Sequence, residues 1–296
     1  STLTVAWTAA PTQLDPLVFT SLNSVYINDA YLATLLEYDQ SVGGENGRVI
    51  GVEDLVPSLA ESYEANEDGT RYTFKLRKGV KSAAGNELTA DDVVWTFERF
   101  YSSPSSLQAG VLLPTGKVDR EKPMEKIDDY TVRYNLTAPS PVALSILAYP
   151  ILGIIDSTEA KKHATKDDPW ATEWLKNNTA GFGAYTVSSF NPGNEVRLTA
   201  NPNYFGDKPD FTQVIIRSVP DGAARAQMLM SGSVDIISEP PIDQLKAIED
   251  SGNARVTRQP DMNRHNLSVN HDDPILGKAE VRRAISMAIN RDALIQ

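Results

Sequence analysis

The stretch from Leu55 to Phe100 constrains this chain more than any other, because it fixes a hairpin and a capped helix in one run. Asn66-Glu67-Asp68-Gly69 is turn chemistry: Asn and Asp bond their own backbone, and Gly tolerates positive φ. Tyr72, Phe74 and Leu76 then alternate with Arg71, Thr73, Lys75 and Arg77, the period-2 pattern of a half-buried strand. Thr89 precedes Ala90-Asp91-Asp92, a capping-box start that puts acid near the positive end of the helix dipole. Val93, Val94, Phe97 and Phe100 or Tyr101 follow at helical spacing. No catalytic chemistry lies in this stretch, which reads as scaffold.

Before it, Leu3, Val5 and Trp7 alternate with Thr2, Thr4 and Ala6 as a first strand. Pro11 and Pro16 push the next segment out of regular structure, and Val25 to Leu36 carries a helical pattern. Gly43 to Gly47 and Ser102 to Ser106 read as loops. After Asp128-Asp129 a strand alternates Val132, Tyr134 and Leu136 with Thr131, Arg133 and Asn135. Val142 to Leu147 reads as a buried helix, Tyr149 to Leu152 as a kinked connection, and Trp170, Trp174 and Leu175 as a short helix face. Gly181-Phe182-Gly183-Ala184-Tyr185 opens a hairpin that turns at Asn191-Pro192-Gly193-Asn194. It is no dinucleotide fingerprint, since neither a third glycine nor a helix follows.

From Val214 the rhythm becomes strand, helix, strand. Val214 to Val219 and Val234 to Ile237 are the strands, and the helix between is capped by Asp221 and stopped by Gly232. A further helix spans Asp243 to Glu249, so the pattern is that of parallel α/β layering. Ala284, Ile285, Ala288 and Ile289 form an apolar helical stripe near the end.

The chain has 296 residues, enough for two domains, and a net charge of −11, which argues against nucleic acid or an anionic membrane as partner. Cysteine is absent, which removes disulfides, thiolate catalysis and cysteine metal sites. Ile146 to Ile155 is too short to span a bilayer and is broken by Pro150 and Gly153. There is no nucleophile elbow, no His-Glu-x-x-His and no phosphate loop. His265 and His271 fall six apart beside Asp272 and Asp273, which could at most make an adventitious metal site. No catalytic residue, metal site or cofactor is therefore assigned.

Pro57-Ser58-Leu59-Ala60-Glu61, Asp68-Gly69 with Tyr72 to Arg77, and Leu88-Thr89-Ala90-Asp91-Asp92-Val93 with Arg99 resemble, in order and spacing, the signature of the peptide/nickel-type extracellular solute-binding proteins, family 5. Asn201-Pro202-Asn203-Tyr204-Phe205-Gly206, Ser231 to Ile236 and Val281 to Leu294 match further family segments, whereas Ser82-Ala83-Ala84-Gly85 departs from the family's usual aromatic and His. The resemblance implies an α/β, periplasmic-binding-protein-like (class II, Venus-flytrap) lobe with an extra α+β subdomain. Residues 1–42 and 180–268 would form the first lobe, 43–179 an inserted subdomain, and 269–296 the start of a second lobe that is largely absent.

The same resemblance implies a receptor of an ABC importer. It would capture an oligopeptide or dipeptide-like solute between lobes and deliver it to the permease transmembrane subunits, as an exported monomer in the periplasm or as a cell-surface lipoprotein, after loss of any leader. It carries the ligand-lining role onto Phe19, Thr20, Ser21 and Leu22, onto the loop at Ser105 and Leu107, and onto Tyr149 and Ile151. An oligosaccharide, a nickel or other metal chelate, or a sensor without transport are the alternatives, and an enzyme is not expected.

Overall fold

The structure, a computed structural model, describes residues 1–18, 22–42, 50–103, 106, 109–257 and 266–295. It divides into a compact unit of Ser1–Arg258 and a second of Gln259–Gln296. In chain order the first unit holds β1 (Thr2–Trp7), α1 (Leu22–Tyr31), β2 (Leu36–Tyr38), β3 (Leu55–Pro57), β4 (Ala60–Ala65) and β5 (Arg71–Leu76). Then come α2 (Ala90–Ser102), α3 (Ala109–Gly116), β6 (Met124–Asp128), β7 (Thr131–Asn135), α4 (Ala143–Ile146), α5 (Ser157–Lys161) and α6 (Thr172–Leu175). β8 (Tyr185–Asn191), β9 (Glu195–Ala200), β10 (Gln213–Ser218), α7 (Gly222–Met230), β11 (Ile236–Ile237) and α8 (Leu245–Asp250) complete it.

Two sheets organise the first unit. One has the order β11-β1-β10-β9-β8, with β1 parallel to both β10 and β11 and the rest antiparallel. The other, β4-β5-β7-β6, is antiparallel throughout and comes from the middle of the chain. β2 and β3 form a small ladder of their own.

Helix α2 lies between two cores. Its start is the expected box: Thr89 Oγ1 accepts from the Asp91 amide (3.3 Å) and Asp92 reaches back to the Thr89 amide (2.9 Å). Val93, Phe97, Phe100 and Tyr101 pack into the core under Phe74, Val132 and Tyr134, whereas Trp95 belongs to the core of the five-stranded sheet. Sequence periodicity marks one apolar face, yet nine of the thirteen helical residues are buried. The second face is closed by Thr96, whose hydroxyl accepts from the Ile155 amide, and by Arg99. Asp92 also accepts from the Ser157 amide (2.8 Å), and burial raises its carboxyl above the usual range.

Arg99 makes the central tie. Its guanidinium grips Asp15 bidentately at 3.0 and 2.6 Å, with both side chains fully buried, and its Nε donates to the Trp170 carbonyl. Asp15 Oδ1 also accepts from the Leu17 amide, and Tyr31 donates to the Leu14 carbonyl. Burial, then the Asp15 charge, raises the Tyr31 hydroxyl above its ordinary value. The proline-broken segment after β1 is thus fixed from α1 and α2 together.

Several expected elements end early for identifiable reasons. The helical pattern through Leu36 stops at Tyr31, because the Tyr31 carbonyl accepts from Gly183 and the chain beyond it pairs elsewhere. Ala33 O accepts from Ile154, and Leu35 O accepts from Ser58 and Ala60. A Cβ at Gly183 would strike the Tyr31 carbonyl carbon and the Ala30 oxygen, so that contact requires glycine. The strand expected from Val234 shortens to β11, because the Asp235 carboxylate takes the Thr4 amide in place of a ladder bond (2.7 Å). β6 and α3 carried no pattern strong enough to read. The Ser82 loop is held despite its unusual sequence: Ser82 Oγ and Asn86 donate to buried Asp156 at 2.6 and 2.8 Å.

The second unit contains α9 (Ala279–Ala288) and α10 (Arg291–Ile295), preceded by a turn in which Asp273 accepts from the Ile275 and Leu276 amides. The expected stripe on α9 is mostly exposed, with Ile285 half-buried in a groove beside Leu267 and Leu294. Among the described residues no helix is long and apolar enough to cross a membrane.

Arg99→Ala leaves Asp15 charged, buried and unpaired, and should cost about 3–5 kcal/mol of stability in urea unfolding. A loss below about 1 kcal/mol would show that the pair is not buried as described. Gly183→Ala should cost about 1–3 kcal/mol, because the obstructing atoms are backbone and cannot rotate away.

Candidate functional site

In open α/β sheets, ligands bind outside the carboxyl ends of the parallel strands, where strand order reverses. Here β1 lies between β10 and β11, and the three strands end at Trp7, Ser218 and Ile237. Their exits are pinned to one another: the Val219 amide donates to Trp7 O (2.8 Å) and the Ser238 amide to Ala6 O (3.2 Å). Arg225 of α7 is buried and donates to four carbonyls, those of Val219, Pro220, Ser238 and Glu239, at 2.7–3.2 Å. At the same edge α1 begins, and Asn23 donates to the Ala9 carbonyl (2.6 Å).

Tyr26 of α1 leads from this edge into a cavity. Its ring is 60% exposed, lies 5.9 Å from that of Trp7, and lines a cavity of about 730 Å³. One wall is α1 and β2, through Tyr26, Asp29, Glu37 and Tyr38. Ser145, Tyr149 and Pro150, from α4 and the turn after it, line the cavity too, as do Tyr185 and Tyr204. The volume suits a ligand of a few hundred daltons, and the lining combines apolar rings with a few polar groups.

The polar groups are unevenly matched. Tyr185 donates to the Phe211 carbonyl (3.0 Å). Ser145 Oγ is buried with no partner among the described residues. Asp29 keeps exposed surface but lines a recess, and burial within those walls, then the Glu37 charge, raise its carboxyl. Burial likewise raises the Tyr149 and Tyr204 hydroxyls, the latter helped by Glu37, Asp29 and Asp207.

Of the residues named from sequence, Phe19, Thr20, Ser21, Ser105 and Leu107 lie outside the described residues, as does the side chain of Leu22, whose backbone opens α1. Tyr149 lines the cavity, half-buried. Ile151 is 2% exposed within the hydrophobic core and is not among the cavity residues, because the turn at Pro150 points it inward while Tyr149 points out. Tyr26, Asp29, Glu37, Tyr185 and Tyr204 were not singled out for the site. The available signal was Tyr26 and Asp29 three apart on an otherwise buried helix. His163 stacks on Trp174 at 4.1 Å, and His265 lies outside the described residues. Among the described residues no group of three or more His, Asp or Glu is placed to hold a metal.

A family model, "Bacterial extracellular solute-binding proteins, family 5 Middle", matches residues 54–296. The chain belongs to this family. Its periplasmic-binding-protein-like fold agrees with that of the ABC transporter-associated periplasmic binding protein DppA from Helicobacter pylori in complex with peptide STSA, with a TM-score of 0.70 at 26% identity over 84% of this chain and 49% of that one. The family 5 chain is 29% identical to the probable D,D-dipeptide-binding periplasmic protein DdpA of Escherichia coli, over 99% of this chain and 54% of DdpA. It is 32% identical to the peptide transport periplasmic protein SapA of Salmonella typhimurium, over 82% of this chain and 46% of SapA. The chain thus spans about half the length of the curated relatives it matches.

Because burial and Glu37 raise the Asp29 carboxyl, its charge costs stability above its ordinary titration range and costs none below it. Asp29→Asn should therefore raise the melting temperature at about pH 7 and lose that gain as the pH falls below about 3, where the carboxyl is protonated in both states. A gain independent of pH in thermal unfolding would overturn this assignment.

Proposed function

We propose that this chain is the ligand-capturing part of an ABC-importer receptor, which takes up an oligopeptide or dipeptide-like solute outside the cytoplasmic membrane and presents it to the permease. The observation that carries the reading is the tyrosine-lined cavity of about 730 Å³ continuing from the carboxyl edge of the parallel strands, in a member of family 5. Relatives named for D,D-dipeptide binding and for peptide transport support a peptide-class ligand. Residues 269–296 open a second lobe in this reading, and closure of two lobes over the ligand is the population shift that the permease reads. Tyr149 lines this cavity, and the family resemblance alone carries Phe19 to Leu22, Ser105 and Leu107 as further ligand candidates. The receptor works as an exported monomer and turns nothing over.

The five tyrosines at the cavity favour one second reading, an oligosaccharide, since rings stack on sugar faces. Thermal-shift and calorimetric titration of the native receptor, with whatever sequence its gene places around this chain, separates the two. Di- and tripeptides, a maltooligosaccharide and a nickel chelate form the panel. A peptide at 100 times its Kd should add about 2.7 kcal/mol of stability. Stabilisation by the oligosaccharide alone would replace the peptide reading, and no response to any class would overturn the receptor reading.

A further inference from the structure

The turn from Asn201 to Gly206 follows β9 and brings Tyr204 to the cavity. Asn201 is 4% exposed and has all four of its hydrogen-bonding groups engaged. Its amide donates to the Ala184 carbonyl (2.8 Å), and its carbonyl accepts from the Tyr204 amide (3.2 Å). Its side chain donates through Nδ2 to the Gly183 carbonyl (2.9 Å) and accepts through Oδ1 from the Asn203 amide (2.9 Å). A buried amide satisfied on every side holds one geometry, because each bond left unmade would strand a desolvated group. Asn203 braces the turn again: its Nδ2 donates to the Ser82 carbonyl (3.0 Å), and Ser82 Oγ is itself held on buried Asp156 (2.6 Å).

The ring carried by this turn has little freedom. A Cβ at Gly206 would stand 2.7 Å from Tyr204 Cε1 and 3.1 Å from its hydroxyl oxygen, so the ring rests on bare backbone. The Gly206 φ lies outside the left-handed region, so what the position requires is room for the ring. The Phe205 ring stands 5.0 Å from that of Tyr204 and packs against the core that contains Phe74. The Tyr204 hydroxyl, in contrast, is uncommitted. Tyr185 lines the same cavity but donates to the Phe211 carbonyl (3.0 Å), whereas the Tyr204 hydroxyl has no partner among the described residues. A phenol already held in place loses little rotamer freedom when a ligand takes its O–H, and its ring adds apolar contact.

We propose that Tyr204 is a ligand contact of this receptor, donating its hydroxyl to an acceptor oxygen of the solute, and that the Asn201–Gly206 turn holds it in position. Gly206 separates this role from a structural one. An alanine there fits the backbone, and the three nearest atoms it would meet all belong to Tyr204. It therefore displaces the ring without unmaking a bond of the turn. The proposal deepens the receptor reading and rests on it for the solute being a peptide, whose carbonyl would be the acceptor.

Calorimetric titration of the native receptor and its variants with trialanine and with maltotriose tests it. Tyr204→Phe, which removes only the hydroxyl, should weaken trialanine binding at least about fivefold. Gly206→Ala should weaken it by a similar factor while the melting temperature stays within about 2 °C of the wild type. In a Tyr204→Ala background the same Gly206→Ala change should alter affinity less than about twofold, since its effect runs through the ring. Asn203→Ala, which removes only the bond to Ser82, carries the same expectation in both backgrounds. Unchanged affinity in Tyr204→Phe overturns the contact and leaves the receptor reading standing. Losses from Gly206→Ala and Asn203→Ala that are absent, or equal in the two backgrounds, overturn the positioning role of the turn. Binding of maltotriose alone, weakened by Tyr204→Phe, keeps the contact and overturns the peptide reading. A wild-type receptor that binds neither probe overturns the contact and the peptide reading together.

Discussion

A charge pair that has left water entirely is stable only when every hydrogen-bonding position on it is filled, and the Asp15–Arg99 pair comes close to meeting that condition. The guanidinium uses both terminal nitrogens on the carboxylate and its Nε on Trp170, while the carboxylate adds the Leu17 amide. Taking two ions out of water costs several kcal/mol each, and only this degree of satisfaction offsets it. Its position matters as much as its strength. Arg99 projects from α2, whose residues enter both cores, and Asp15 sits in the proline-broken segment between β1 and α1. The pair joins the central sheet's first exit to the scaffold helix, so the approach to the site is set by the packing of α2.

That relation explains why some of the molecule could be read from its residues and some could not. The Thr89 box, the β5 alternation and the Asn191 turn are decided by neighbours within a few residues, and each has the expected form. The pairing of Asp15 with Arg99 spans 84 residues, and neither residue carries a mark of the other. Helix α1 ends at Tyr31 because Gly183, far along the chain, takes the Tyr31 carbonyl. β11 is shortened by one carboxylate reaching Thr4. In each case a long-range partner overrode a local preference.

The site divides along the same line. Family-matched segments pointed to Tyr149, which does line the cavity, and to Ile151, which the neighbouring turn buries in the core. Asp29 and Glu37 escaped notice because a charged residue on a helix or a short strand ordinarily reads as a solvated face. Only the folded chain shows that they share a cavity lining with five tyrosines.

Arg225 carries one more consequence. A single fork of N–H donors spans the outlets of β10 and β11, using only backbone oxygens among the described residues. Peptide carbonyls at those outlets cannot be changed by substitution of the side chains that bear them. The loops around the strand ends are therefore free to vary in chemistry while their paths stay put. Descendants of this frame can replace the side chains around the strand ends while the path of the backbone beneath them is kept.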